Sequence, residues 1–109
     1  MWQKADELVV LIYKITRAFP ADEKYGLTSQ LRRAALSVAL NIVEGYARSN
    51  IGDLRRFLDI SLGSLAEVEY LLELSLKLKY LDQDNYERLE EIRVYCGKLL
   101  WSYRRKIDK

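Results

Sequence analysis

The chain contains no histidine and a single cysteine, Cys96. Zinc sites, Ser-His and Cys-His nucleophile systems and haem ligation through histidine therefore lose their usual residues. The carboxylates, serines and tyrosines that remain form no recognisable pairing of base and nucleophile. The expectation is a protein that is not an enzyme, with no cofactor, no metal and no small-molecule substrate. Glu69 and Glu73 are four apart on one helix, but without histidine such a pair reads as a solvated face. One cysteine also excludes an internal disulfide framework, and the position of Cys96 on an apolar stripe marks it as inert core. One proline and five glycines leave no linker, and the glycines at 45, 52, 63 and 97 are too scattered to cradle a phosphate. No apolar run approaches the roughly 20 residues that span a bilayer, because Lys14 and Arg17 break the first helix and charges recur beyond it. No membrane association is expected. The start MWQKADELVV lacks the basic-then-apolar layout of a signal peptide, which sets a cytoplasmic location as the expectation. An excess of one charge is missing too: the net charge is only +2, so any basic patch must come from arrangement.

What fills the 109 residues is helical period. Ala5, Leu8, Ile12, Ile15 and Phe19 step by three and four until Pro20 stops the first helix, read as 2–18. A second helix is read as 24–49, with Asp22 or Thr28 able to cap it. The short SNIG turn follows, where Asn50 and Asp53 resemble a capping pair for a third helix over 51–81. That helix carries Leu54, Leu58, Ser61, Leu65, Val68 and Leu72 in heptad steps. Asp82 caps a fourth over 83–107, striped by Tyr86, Leu89, Ile92, Cys96, Leu99, Tyr103 and Ile107. Four long helices with short links predict one all-α domain over 1–109, an antiparallel up-down-up-down four-helix bundle. In the hairpin of helices two and three, partners sum to about 99, which pairs Ala35 with Ser64 and Val38 with Ser61. The two backbones are then expected to approach closely near Gly63.

Helix two is the most unusual segment. Leu31, Ala35, Val38, Ile42 and Gly45 form one apolar stripe, and Leu36, Leu40, Val43 and Ala47 form another a third of a turn away. Between them Gln30, Arg33, Ser37, Asn41, Glu44 and Arg48 make a polar ridge that a helix buried within its own subunit could hardly satisfy. Assembly of several copies is the expectation, with Arg33, Ser37, Asn41 and Glu44 at a subunit interface. Tyr70, Tyr95 and Trp101 fall off the core stripes, as suits aromatics at a protein interface. Bundle topology also brings the Arg48 to Arg56 turn beside residues 102–109. There Arg48, Arg55, Arg56, Arg104, Arg105, Lys106 and Lys109 face only Asp53 and Asp108, a local balance of +5. Two readings follow: phosphate contacts on RNA, with Arg32, Arg48, Arg55, Arg56, Arg104 and Arg105 as the binding residues, or cations that complement the dipole of helix four.

The order WQKADELV, FPADEKYGLTSQLRRAA, SVALNIVEGYAR, FLDISLGSLAEVEYLL resembles the four-helix-bundle proteins encoded in intervening sequences of bacterial 23S ribosomal RNA genes, the S23 family. It is also similar to the accessory variability proteins of diversity-generating retroelements. The resemblance covers nearly the whole chain. Its matching positions are Gln30, Arg32, Arg33, Ser37, Asn41, Glu44, Gly45 and Arg48 on helix two, then Phe57, Gly63, Ser64, Leu65 and Glu67 on helix three. It implies a left-handed bundle, a ring-shaped homopentamer for related members, and association with RNA or a reverse transcriptase in the retroelement branch. One departure stands out: many relatives carry proline at the position of Ala39, and its absence here implies a straighter second helix.

Overall fold

The computed structural model describes residues 2–108, and among these every regular element is helical. Helix α1 spans Trp2–Thr16 and buries Ala5, Leu8, Ile12 and Thr16. It ends two residues earlier than the periodicity predicts. The Thr16 hydroxyl donates to the Ile12 carbonyl at 2.7 Å, and Ala18 and Phe19 turn back onto the carbonyls of Ile15 and Thr16 in tighter three-residue steps.

A single 3-10 turn, Ala21–Glu23, separates α1 from α2, which spans Leu27–Ala47. The expected start near residue 24 is corrected to Leu27, and neither Asp22 nor Thr28 caps it. The Glu23 carboxylate takes that role from outside, accepting the Leu27 N–H at 3.0 Å. Its other oxygen accepts from the Tyr80 hydroxyl at 3.1 Å, and the Tyr80 ring lies 5.7 Å from that of Phe19. The start of α2 is thereby tied to the connection between the last two helices. Beyond Leu27 the helix runs unbroken through Ala39 and ends at Ala47, where Arg48 turns extended.

Helix α3, Ile51–Lys77, begins under the Asn50 side chain, which accepts the Asp53 N–H at 2.8 Å. Its C-terminus lies four residues before the predicted one. Lys79 adopts a left-handed φ of 64°, Tyr80 N–H bonds back to the Ser75 carbonyl at 3.0 Å, and Lys79 N–H bonds to Leu76 at 3.0 Å. That is the double closure that ends many helices, here without the glycine that usually announces it. Helix α4, Gln83–Ile107, starts beneath Asp82, which accepts the Asn85 N–H at 2.8 Å.

Each helix packs on two others: α1 on α2 and α4, α3 on α2 and α4. Across the diagonal the Tyr46 ring of α2 meets the Tyr103 ring of α4 edge-on at 5.6 Å, in a bundle-like arrangement of four amphipathic helices around one core. Its extents are 44 × 24 × 19 Å. Leu8, Ile12, Leu31, Val38, Ile42, Leu58, Val68, Leu72, Leu89, Cys96 and Leu100 are fully buried along it. The α2–α3 contacts follow a regular register. Ser61 donates to the Val38 carbonyl at 2.7 Å, Ser37 and Ser64 share a 2.7 Å bond, and Gly45 lies beside Leu54 and Phe57, so contacting numbers sum to 99–102. Across α3 and α4 the sums are 162–163, from Leu65 beside Gly97, Glu69 with Arg93 at 3.2 Å and Asp59 with Arg104 at 2.8 Å. The close approach sits at Gly45 and not at Gly63, which faces open space. No described helix is long and apolar enough to cross a membrane.

Candidate interaction surfaces

The basic end assembles in part. Arg48, Arg55, Arg56 and Arg104 gather where α2 meets α3 and α4 ends, but acids that the sequence count omits occupy most of them. Arg104 donates to both oxygens of Asp59, at 2.8 and 3.3 Å, and closely to Asp108 as well. The bond to Asp59 holds its guanidinium charged beyond the ordinary arginine range. Arg55 stands 2.9 Å from Asp108, with its N–H not directed at that oxygen. Arg48 pairs with Glu44 at 3.1 Å. With Glu44 and Asp59 included, six described bases face four acids, and the expected balance of +5 falls to +2. Lys109 lies outside the described residues. Arg56, Arg105 and Lys106 form no ion pair with any described residue; the Arg56 guanidinium lies 5.1 Å from the Phe57 ring, as does that of Arg48. Asp59 was within reach of sequence reasoning, since the register that sets Leu65 beside Gly97 also sets Asp59 beside Arg104.

Arg32 is not part of this end. It donates to the Thr16 hydroxyl at 2.9 Å and the Tyr13 carbonyl at 3.3 Å and lies 4.6 Å above the Tyr13 ring. It sits 16 residues before Arg48 on one helix, about 24 Å along the axis. Its visible work is to tie α2 to α1.

The polar ridge of α2 is largely satisfied inside the subunit, contrary to the sequence expectation. Ser37 shares its hydroxyl with Ser64, and Asn41 donates to the Ser37 carbonyl at 2.7 Å and hydroxyl at 3.0 Å. The hairpin register, which expects Ser64 opposite Ala35, lands two residues away on Ser37, so that Ser64 of α3 supplies the ridge with its partner. Outward of that contact, Gln30, Arg33, Ser37, Ser64 and Glu67 line a polar groove of about 410 Å³. Arg33 forms no ion pair there among the described residues.

Two outer helix stripes are less self-contained. On α2, Leu40 and Val43 are 58% and 55% exposed, with Leu36 half-buried above them, so the second apolar stripe is only partly covered within the chain. On α4, Val94, Tyr95 and Trp101 are exposed. Trp101 borders a surface groove of about 720 Å³, floored by Leu62, Leu65 and Ala66 of α3. Gly97 lets α4 settle there, since a β-carbon would stand 3.3 Å from Leu65 Cδ2. Arg93 closes one side, held by Glu90 at 2.5 Å and Glu69 at 3.2 Å, and the Glu90 bond keeps it firmly charged. Among the described residues no group of three or more acids and cysteines is arranged to hold a metal.

Comparison with known proteins places these surfaces on a recognised frame. Residues 1–102 match the family described as 23S rRNA-intervening sequence protein. A crystal structure of a protein of unknown function from the S23 ribosomal protein family of Bacteroides thetaiotaomicron superposes with a TM-score of 0.85 at 27% identity, covering 94% of this chain and 96% of that one. No curated protein matches the chain.

Proposed function

The chain belongs to the 23S rRNA-intervening sequence protein family, and from that premise we propose a non-enzymatic, cytoplasmic, homo-oligomeric accessory protein that assembles through the outer face of α2. The fold in this reading is a left-handed, antiparallel up-down-up-down bundle in a single domain. The near-constant sums of contacting residue numbers support the antiparallel part. The observation that carries assembly is the exposed pair Leu40 and Val43 beside half-buried Leu36, apolar surface on a helix whose opposite face already fills the core. Arg33 and Glu44 lie beside it on the ridge and supply a polar rim. Five copies in a ring is the stoichiometry the sequence resemblance implies.

A second activity, contact with RNA phosphates, draws support from Arg56 and Arg105, basic-end arginines free of ion pairs with described residues. Arg48, Arg55 and Arg104 are engaged by acids and contribute less in this reading, and Arg32 contributes none. A reverse transcriptase as protein partner is the alternative occupant of the same assembly.

Light scattering coupled to size exclusion, at low and high salt with and without a structured RNA, tests both activities. Wild type elutes as a ring-sized oligomer, while Leu40→Glu with Val43→Glu falls to a dimer or smaller with its helical content intact. RNA shifts the wild-type mass at low salt only, and Arg56→Ala with Arg105→Ala abolishes that shift. A wild-type monomer at micromolar concentration sinks the assembly, and an oblivious oligomer at low salt removes RNA and leaves a protein scaffold.

A further inference from the structure

The outward stripe of α4 reads Glu87, Glu91, Val94, Lys98, Trp101, Arg105, in steps of four, three, four, three and four, so that all six lie on one helix face. Its two halves carry opposite charge. Glu91, Lys98 and Arg105 form no ion pair with any described residue, and Glu87 only accepts from Gln83 at 2.9 Å. Within one chain these acids and bases cannot meet: the nearest pair, Glu91 and Lys98, is two turns apart, beyond the three- or four-residue spacing at which helix side chains touch. A second, oppositely directed α4 removes that restriction. With the two helices centred near residue 96, Glu87 faces the partner's Arg105, and Glu91 lies beside the partner's Lys98 and Trp101.

We propose that this face is a twofold contact between two copies of the chain, α4 against α4, distinct from the α2 surface. The occupant is a second copy because reversal brings the acidic half of the stripe onto the basic half of its partner, the self-complementarity an isologous interface imposes. A long RNA would meet two glutamates on the same stripe that offers it two cations, and an acidic helix would leave those glutamates facing like charge. Apolar residues flank Lys98 on the stripe: Val94 and Trp101 are exposed, and the groove beside Gly97 offers each copy space next to its own Trp101. The stripe from Glu87 to Arg105 is about 27 Å long, enough for five turns of paired helix.

Charge exchange tests the pairing. One variant carries Glu87→Lys and Glu91→Lys, the other Lys98→Glu and Arg105→Glu. All four positions are exposed, and circular dichroism confirms that both variants fold. Mass is measured by light scattering at low salt without RNA, over a concentration series. Each variant alone loses one twofold association step, with at least tenfold weaker self-association, and an equimolar mixture regains the wild-type mass. Unchanged masses for the single variants, or variants that stay apart when mixed, overturn the contact. The α2 reading fails independently. If Leu40→Glu with Val43→Glu breaks the ring to a dimer, the α4 contact is what remains, whereas a wild-type mass of a single ring that none of the α4 variants lowers leaves α2 as the sole assembly surface. The acid-reversed variant keeps every cation, so its loss of mass cannot come from lost RNA affinity.

Discussion

A methyl group added at position 63 meets no atom within 4 Å, while one added at position 45 stands 3.1 Å from Leu54 Cδ1 and 3.2 Å from Phe57 Cβ. The two glycines thus have opposite roles. Gly63→Ala removes the backbone freedom of an exposed helical glycine and should stabilise the chain by about 0.5–1 kcal/mol. Gly45→Val should destabilise it by about 1–3 kcal/mol, because the Phe57 β-carbon is fixed to its backbone and cannot rotate away. Urea midpoints of the two variants check the pair, and a shift of the same sign in both would refute the assignment. Composition could not separate these positions, since a glycine on a helical stripe looks the same whether it faces a neighbour or solvent. Charges misled for a related reason. Arg32 and Arg104 are bases in any count, but Thr16 and Tyr13 hold the first and Asp59 and Asp108 hold the second.

At the scale of the helix, periodicity identified what faces the core and left open what faces a neighbour. The stripe of Leu31, Ala35, Val38, Ile42 and Gly45 is buried throughout, and Asn50 and Asp82 were legible as caps because a short polar side chain before an apolar run has one common use. The helix ends were less legible. Glu23 caps α2 from four residues away, and Lys79 closes α3 in a left-handed conformation that no glycine signals. The ridge of α2 needs less from outside than its sequence suggests, because Ser64 of α3 meets Ser37 and Ser37 in turn satisfies Asn41 within the same helix. Ser64 is buried and bonded to Ser37, whose hydroxyl also accepts from Asn41. Ser64→Leu should therefore force the two helices apart and strand those partners, lowering stability by about 1–3 kcal/mol. Ser64→Ala leaves the packing in place and should cost about 1 kcal/mol, the worth of the bond. Thermal melts rank the two, and an unchanged melting temperature for Ser64→Leu would show that the contact is not tight.

For the molecule as a whole, one buried group reports on every helix at once. Cys96 is fully buried in the α4 stripe, and burial pushes its thiol up from about 9 to about 11. The unfolded chain ionises that thiol first as pH rises. The folded state therefore loses nothing below about pH 9, and between about 9 and 11 its stability falls by as much as ~2–3 kcal/mol. Tyrosines and lysines titrate in the same range, so the comparison that isolates the thiol is wild type against Cys96→Ala. The variant is less stable at pH 8 through lost packing, but its stability should decline less steeply between pH 9 and 11. The same burial makes alkylation a gauge of opening. At pH 8 iodoacetamide should modify Cys96 at a rate that follows the unfolded fraction across a urea series. Modification in the absence of urea at the rate of a free thiol would mean that α4 leaves the bundle by itself. In that case the face it turns outward could not serve as a preformed contact between copies.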